Sequence, residues 1–419
     1  MSSMSELAKP KLRFNGFNSS WKNYFFHETF LILKSNSLSR DDLNDTEGKI
    51  KNIHYGDIHT KFRSLLDITK ENIPFINDDM LEKVKNMSFC EEGDLIFADA
   101  SEDYKDIGKA IEIVNLDNQN VLSGLHTILV KKKFNISLGL CGYLFQSWKI
   151  RKQIMFFSQG TKVLGLPKKY LEKINLYIPE NISEQQKIVS SLSFVDKKIE
   201  LLIKKHEFLE KYKKGLMQKI FSQEIRFKQD DGSDFPDWVN AKLKTYIKER
   251  KNKNKNNLIK KVLSVSNKRG FIAQEEQFED RRVASTDTSN YRIVRCDDFA
   301  YNPSRINVGS IARLSNYKEG IVSPMYVVFY LEELDLSYFE NLIRTHRFSY
   351  FVQSNCSGSV RDSLSFKSLS EFEFNFPSLL EQKKISSFFK SIDKKINLIK
   401  LQIEKTQTFK KGLLQQMFV

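Results

Sequence analysis

The chain has 419 residues, 40% of them hydrophobic, enough for two or three domains with cores of their own and too many for wholesale disorder. Its 67 Lys and Arg against 52 Asp and Glu leave a net charge of +15, which points to a polyanionic partner, nucleic acid or an anionic membrane surface. No apolar run is long enough to cross a bilayer, the first ten residues hold no apolar signal core, and Cys90, Cys141, Cys296 and Cys356 form no Cys-x-x-Cys pair, so a cytoplasmic chain with reduced thiols is expected.

From the N-terminus, Leu12-Arg13-Phe14 leads to Trp21, and residues 94–98 and 127–131 read as strands. A polar loop, Ser158-Gln159-Gly160-Thr161-Lys162, precedes residues 174–178, whose apolar and polar side chains alternate as in a half-buried strand. Pro179 then introduces a long helix. Its apolar seam, Ile188, Leu192, Val195, Ile199 and Leu202, is spaced alternately by four and three, the periodicity of helices that pack lengthwise, and His206 continues it as a polar position. The plan then starts again. Ile225-Arg226-Phe227 leads to Trp238, and residues 242–261 are dense in Lys and Asn and poor in acid. Residues 291–295 and 325–331 read as strands, residues 372–376 as the last strand, and Pro377 introduces a second seam of Ile385, Phe389, Ile392, Ile396 and Ile399.

The two halves match motif for motif. Glu184-Gln185-Gln186-Lys187-Ile188 answers Glu381-Gln382-Lys383-Lys384-Ile385, Asp196-Lys197-Lys198-Ile199 answers Asp393-Lys394-Lys395-Ile396, and Lys213-Lys214-Gly215-Leu216 answers Lys410-Lys411-Gly412-Leu413, each displaced by 197 residues. A constant displacement is what a continuous helix demands, since one inserted residue would rotate the seam away. Upstream the displacement drifts to 204, as loops between shared strands would allow. The fold class that follows is α+β: two β-rich bodies, each followed by a long helix of a coiled-coil pair, with a pseudo-two-fold internal repeat. Because the second lead-in follows the end of the first helix, the first lead-in is expected against the end of the second, with the termini close together.

Catalytic and cofactor motifs are missing. There is no phosphate loop, no Gly-x-Gly-x-x-Gly turn, no nucleophile elbow, and none of the six histidines has metal-ligand spacing. Asn302-Pro303-Ser304-Arg305 lacks the second proline and the aromatic of an amino-methyltransferase tetrapeptide. What remains is polar and cationic. Ser158, Gln159, Thr161 and Lys162, with the equivalently placed Ser359 and Arg361, flank glycines that would let backbone approach a phosphate or base edge, although ordinary glycine turns account for them equally. Asn302, Ser304, Arg305 and Asn307 form a third candidate group, in which the arginine could pair bidentately with guanine. The Lys-rich run 242–261 suits either a solvated loop or one that tracks phosphates.

Taken together, the paired lead-ins, the repeated Glu-Gln-x-Lys-Ile and Asp-Lys-Lys-Ile motifs, Asp234-Phe235-Pro236-Asp237-Trp238 and residues 301–310 resemble the DNA-specificity subunit of a Type I restriction-modification enzyme along essentially the whole chain. The resemblance implies two target recognition domains, residues 1–179 and 223–377, and two spacer helices, residues 180–222 and 378–419. It implies a non-catalytic subunit that binds a bipartite asymmetric site on double-stranded DNA. Modification (methyltransferase) subunits would carry S-adenosylmethionine, and a restriction (motor and nuclease) subunit would use ATP, with no cofactor on this chain and no membrane partner. A stand-alone DNA nuclease or methyltransferase would need a catalytic constellation, and a coiled-coil scaffold would leave the duplicated cationic bodies unexplained.

Overall fold

The expected strands form: Asn175–Ile178 and Glu373–Phe376 alternate apolar and polar side chains and bury one face, whereas Leu95–Ala98, Thr127–Lys132 and Val327–Leu331 hold continuous apolar runs buried on both faces, and Arg292–Arg295 is a short further strand. They are seen in a computed structural model that describes residues 9–267, 269–277, 287–356 and 363–419. The chain divides into two units, residues 1–203 with 401–419, and residues 204–400.

In the first unit a five-stranded sheet runs in the order Phe30–Leu33, Thr127–Lys132, Leu95–Ala98, Ala110–Asn115, Leu65–Asp67, antiparallel except for its last pair. A second sheet has the order Val121–Ser123, Lys51–Ile53, Phe75–Ile76, Leu43–Asn44. Ala110–Asn115 carries Glu112 in the middle of its apolar run, which obscures the strand in the sequence. The carboxylate is fully buried and accepts from Lys132 Nζ at 2.6 Å and from the Gly139 and Gly142 amides at 2.8 and 2.7 Å, so the charge is paired and hydrogen-bonded as burial requires.

The second unit is built from a four-stranded sheet, Ile247–Glu249, Val327–Leu331, Phe299–Tyr301, Ile311–Arg313, and from the paired ribbons Leu263–Ser266 with Gly270–Ala273 and Arg292–Arg295 with Glu319–Val322. Phe299, Phe329 and Phe339 close its core edge to face.

Each body is closed at its neck by a two-stranded ribbon. Lys22–Phe25 pairs antiparallel with Asn175–Ile178, joining Lys22 to Ile178, and Val239–Lys242 pairs with Glu373–Phe376, joining Val239 to Phe376. From each neck a long helix departs, Ile182–Phe221 and Leu379–Met417. The Asn181 side chain caps the first by accepting from the Ser183 amide at 2.8 Å.

The helices pair antiparallel. In the first unit Lys410 Nζ lies 2.7 Å from Asp196, and in the second Lys213 Nζ lies 2.6 Å from Asp393, so each unit pairs its two helix segments in the same way. The repeated Asp-Lys-Lys and Lys-Lys-Gly motifs are therefore each other's partners. Ile188 and Leu192 are buried with Leu414, Met417 and Phe418, and Ile385, Phe389 and Ile392 with Met217, Ile220 and Phe221. The upper part of each seam also packs onto its own β-rich body, Ile188 and Leu192 in one cluster with Tyr143 and Leu176. Val195, Ile199 and Ile399 are buried, whereas Leu202 and Ile396 are half-buried. The first lead-in lies against the end of the second helix as expected: the Leu12 amide donates to the Gln416 carbonyl at 2.9 Å, and Trp21 meets Phe418 edge to face at 6.1 Å.

One buried acid gives the first unit a pH signature. Burial pushes the Asp94 carboxyl up from 3.8 to about 6, against the opposing hydrogen bond from the Glu91 amide. The equivalent Asp298 has Arg250 at 2.7 Å. Because the folded chain holds this proton more tightly than the unfolded chain, Asp94 favours folding at low pH, and that contribution is lost as pH rises from about 4 to about 6. Asp94→Asn is expected to stabilise the first unit increasingly across that window, as read from urea midpoints at matched pH. A midpoint difference independent of pH would contradict it.

Candidate nucleic-acid interface

What positions the bodies is the same clamp in each unit. Glu184, in the first turn of its helix, accepts from Arg13 Nε at 2.7 Å, Arg13 Nη2 at 2.8 Å and Trp21 Nε1 at 3.2 Å. Glu381 accepts from Arg226 Nε at 3.3 Å, Arg226 Nη2 at 2.9 Å and Trp238 Nε1 at 3.0 Å. The next residue ties in the body. Gln185 accepts from the Ser137 amide and donates to the Pro179 carbonyl, both at 2.7 Å, and Gln382 does the same with Asp335 and Pro377, both at 2.9 Å. The Arg, Trp and Glu-Gln motifs seen as a repeat are one structural device.

In the first unit the loop 158–162 follows the helix Trp148–Phe157. Ser158 Oγ donates to the Met155 carbonyl at 2.7 Å, and Gln159 Nε2 to Tyr170 Oη at 3.2 Å, so both side chains serve the fold. Gly160 has φ +122°, and a Cβ there would sit 2.1 Å from the Val163 carbonyl oxygen; the turn itself demands glycine. Thr161 and Lys162 are exposed. Around them lies a surface the sequence reading passed over. Lys149, Lys152, Lys162, Lys168, Lys169 and Lys173 are exposed against one acid, Glu172. Trp148, Lys152 and Phe156 recur every fourth residue on one helix face, with Phe156 80% exposed. Tyr170 stacks on Phe157 and carries the Lys169 and Lys173 ammonium groups at 4.9 and 5.2 Å. Aromatic faces among lysines suit bases and phosphates. Counting charge over residues 148–173 would have found the patch. Arg151 is not part of it: burial lowers it to about 10, and it donates to the Lys105, Ile107 and Gly108 carbonyls.

In the second unit Asn302 Oδ1 accepts from the Ser304 amide at 3.1 Å, and the turn ends in Ile306–Val308 and Gly309 at φ +90°. Ile306 is buried beneath, while Arg305 and Asn307 are exposed with no side-chain partner among the described residues; Ser304 is half-buried. Ser359 and Arg361 lie outside the described residues.

The Lys-rich run 242–261 is not unopposed in space. Lys242 and Lys244 meet Glu371 at 2.7 and 3.8 Å, Lys248 meets Glu332 at 4.0 Å, Arg250 meets Asp298 at 2.7 Å, and Lys251 meets Glu249 at 3.2 Å. Lys261 lies over Tyr317 at 4.1 Å. Lys253, Lys255 and Lys260 remain exposed, Lys253 donating to Asn290 at 3.3 Å. Folding brings in Glu371, Glu332 and Asp298 from distant parts of the sequence, so five of the nine cations of this run meet a carboxylate and the run keeps a smaller positive excess. Among the described residues no helix is long and apolar enough to cross a membrane, and no three His, Cys, Asp or Glu side chains gather as a metal site.

The family described as Type I restriction modification DNA specificity domain matches residues 18–211 and 237–406. The Type I restriction enzyme MjaVIII specificity subunit of Methanocaldococcus jannaschii is 26% identical over 297 residues, 65% of this chain and 68% of that protein. The S subunit of the Type-I restriction-modification system from M. genitalium shares the fold with a TM-score of 0.53 at 14% identity, over 98% of this chain and 99% of its own. A chain from a structure on complex assembly and conformational transition of the type I R-M system gives 0.54 at 12% identity, over 94% and 96%. The matched segments take in both clamped bodies and most of both long helices, and the chain belongs to the Type I restriction-modification specificity family, whose subunits recognise the DNA target.

Proposed function

We propose that each β-rich body reads one half of a bipartite asymmetric duplex site, and that the long helices set the spacer between the halves. The observation that carries this is the duplicated Arg-Glu-Trp clamp: one chain holds two differently surfaced bodies by the same device. The six lysines and aromatics of residues 148–173, with Thr161 and Lys162, contact DNA in the first body, and Asn302, Ser304, Arg305 and Asn307 in the second. Ser359 and Arg361 are proposed contacts as well. Methyl transfer with S-adenosylmethionine and ATP-driven restriction belong to partner subunits in the cytoplasm, and this chain holds no cofactor. Exposed apolar side chains on the helices support docking of the modification subunits. Phe194 and Phe409, 71% and 58% exposed, flank a groove with Leu413 and Met417, and Phe208 stacks with Tyr212 at 6.2 Å.

Co-expression with modification subunits, followed by sequencing of host DNA for methylated adenine, tests the reading by displaying the motif. An interrupted motif is expected, and a continuous one or none would refute it. Inserting seven residues between Leu202 and Lys213 and between Ile399 and Lys410 keeps both ion pairs in register and adds about 10 Å of helix, or about 3 base pairs. The spacer is expected to lengthen with the half-sites unchanged.

A further inference from the structure

The second unit contains a cavity of about 320 Å3 bounded by Leu263–Ser266, by residues 302–310 and by the turn at 323–326. Three polar groups on its lining have nothing adequate to bind. Gln274 Oε1 is buried without a hydrogen-bond partner among the described residues. Among the described residues Asn302 Nδ2 meets only Met325 Sδ, at 4.0 Å, while Asn302 Oδ1 accepts from the Ser304 amide. Arg305 is exposed, its guanidinium unpartnered among the described residues. A buried carbonyl oxygen left without a donor is unfavourable, so a ligand N–H delivered there is favoured.

The cavity is thus lined by one free acceptor and one free donor, which suits a ligand that carries both a donor and an acceptor. Phosphate offers only acceptors, and among base edges in the major groove guanine and thymine offer only acceptors, cytosine only its N4 donor, and adenine alone the N6 donor beside the N7 acceptor. We infer that this cavity reads one adenine in the half-site of the second unit, Gln274 Oε1 accepting from N6 and Asn302 Nδ2 donating to N7, while Arg305 at the rim holds a phosphate. This rests on the proposed half-site function. The adenine is not the methylated one, since a base under chemistry must leave the stack for the methyltransferase. The first unit does not repeat the device. At the turn matching residues 323–326 it has Gly124, and Asn52 packs so closely that a Cβ there would lie 2.4 Å from Asn52 Nδ2.

The test uses the chain co-expressed with its modification subunits and reads the methylated motif. With Gln274→Leu, preference for adenine at one unmethylated position of one half-site should fall by about 5–150-fold, the discrimination of one bidentate contact. Asn302→Asp should admit cytosine there, because two acceptors no longer match N7. Arg305→Ala should weaken binding to all sequences alike and lower the salt dependence by about one phosphate. Should Gln274→Leu fail to fold by thermal melting, Asn302→Asp carries the test alone. A motif unchanged in folded, DNA-binding Gln274→Leu and Asn302→Asp overturns the inference. No interrupted motif with the unaltered chain overturns the half-site reading instead.

Discussion

Replacing Glu184 by alanine should destabilise the first unit by about 3–5 kcal/mol, the cost of leaving a buried charge without its partner. Its carboxylate is 1% exposed and Arg13 13% exposed, so neither solvent nor another acid takes over the guanidinium, and the Trp21 indole loses its acceptor too. Glu381→Ala should cost less, because Arg226 is 24% exposed and also donates to the Phe235 and Pro236 carbonyls. Urea unfolding followed by tryptophan fluorescence measures both, Trp21 and Trp238 sitting in the clamps while Trp148 is exposed. A loss under 1 kcal/mol for Glu184→Ala would mean that the clamp does not hold the body to its helix.

Exchanging residues 22–178 for the corresponding body of another family member should change one half of the methylated motif and leave the other half and the spacer alone. The break points coincide with the neck, where Lys22 pairs with Ile178, so the body leaves as a closed piece. The clamp survives the exchange. Arg13, Trp21 and Glu184 lie outside the exchanged segment, and Gln185 needs only a backbone amide, now that of Ser137, which any sequence supplies. Specific sites are bound about 10^3–10^7 times more tightly than non-specific DNA, so modification of the original motif should fall below detection. The reciprocal exchange of residues 239–376, bounded by the Val239–Phe376 pair, should alter the other half. Changes in both halves from either exchange would refute independent reading.

Those two experiments touch parts of the molecule that were unequally legible. The repeat, the long helices and the last strand of each body stand in the sequence because they are periodic, and periodicity is a local property of neighbouring residues. Ile188, Leu192 and Ile385 could be assigned to a packed seam from spacing alone. The role of Glu184 could not, although its motif was conspicuous, because Arg13 lies 171 residues away and only folding brings it within 2.7 Å. The Lys-rich run shows the opposite failure: its charges looked free until Asp298, Glu332 and Glu371 arrived from distant strands and turns. Ser158 and Gln159 were attractive as polar loop residues, yet the fold engages both internally. By itself the sequence determined that this protein is two β-rich bodies on two long helices with a large excess of positive charge. Only the tertiary structure decided which polar groups are satisfied within the chain and which, like Gln274 Oε1, still lack a partner, because hydrogen bonding depends on distances that no spacing along the chain encodes.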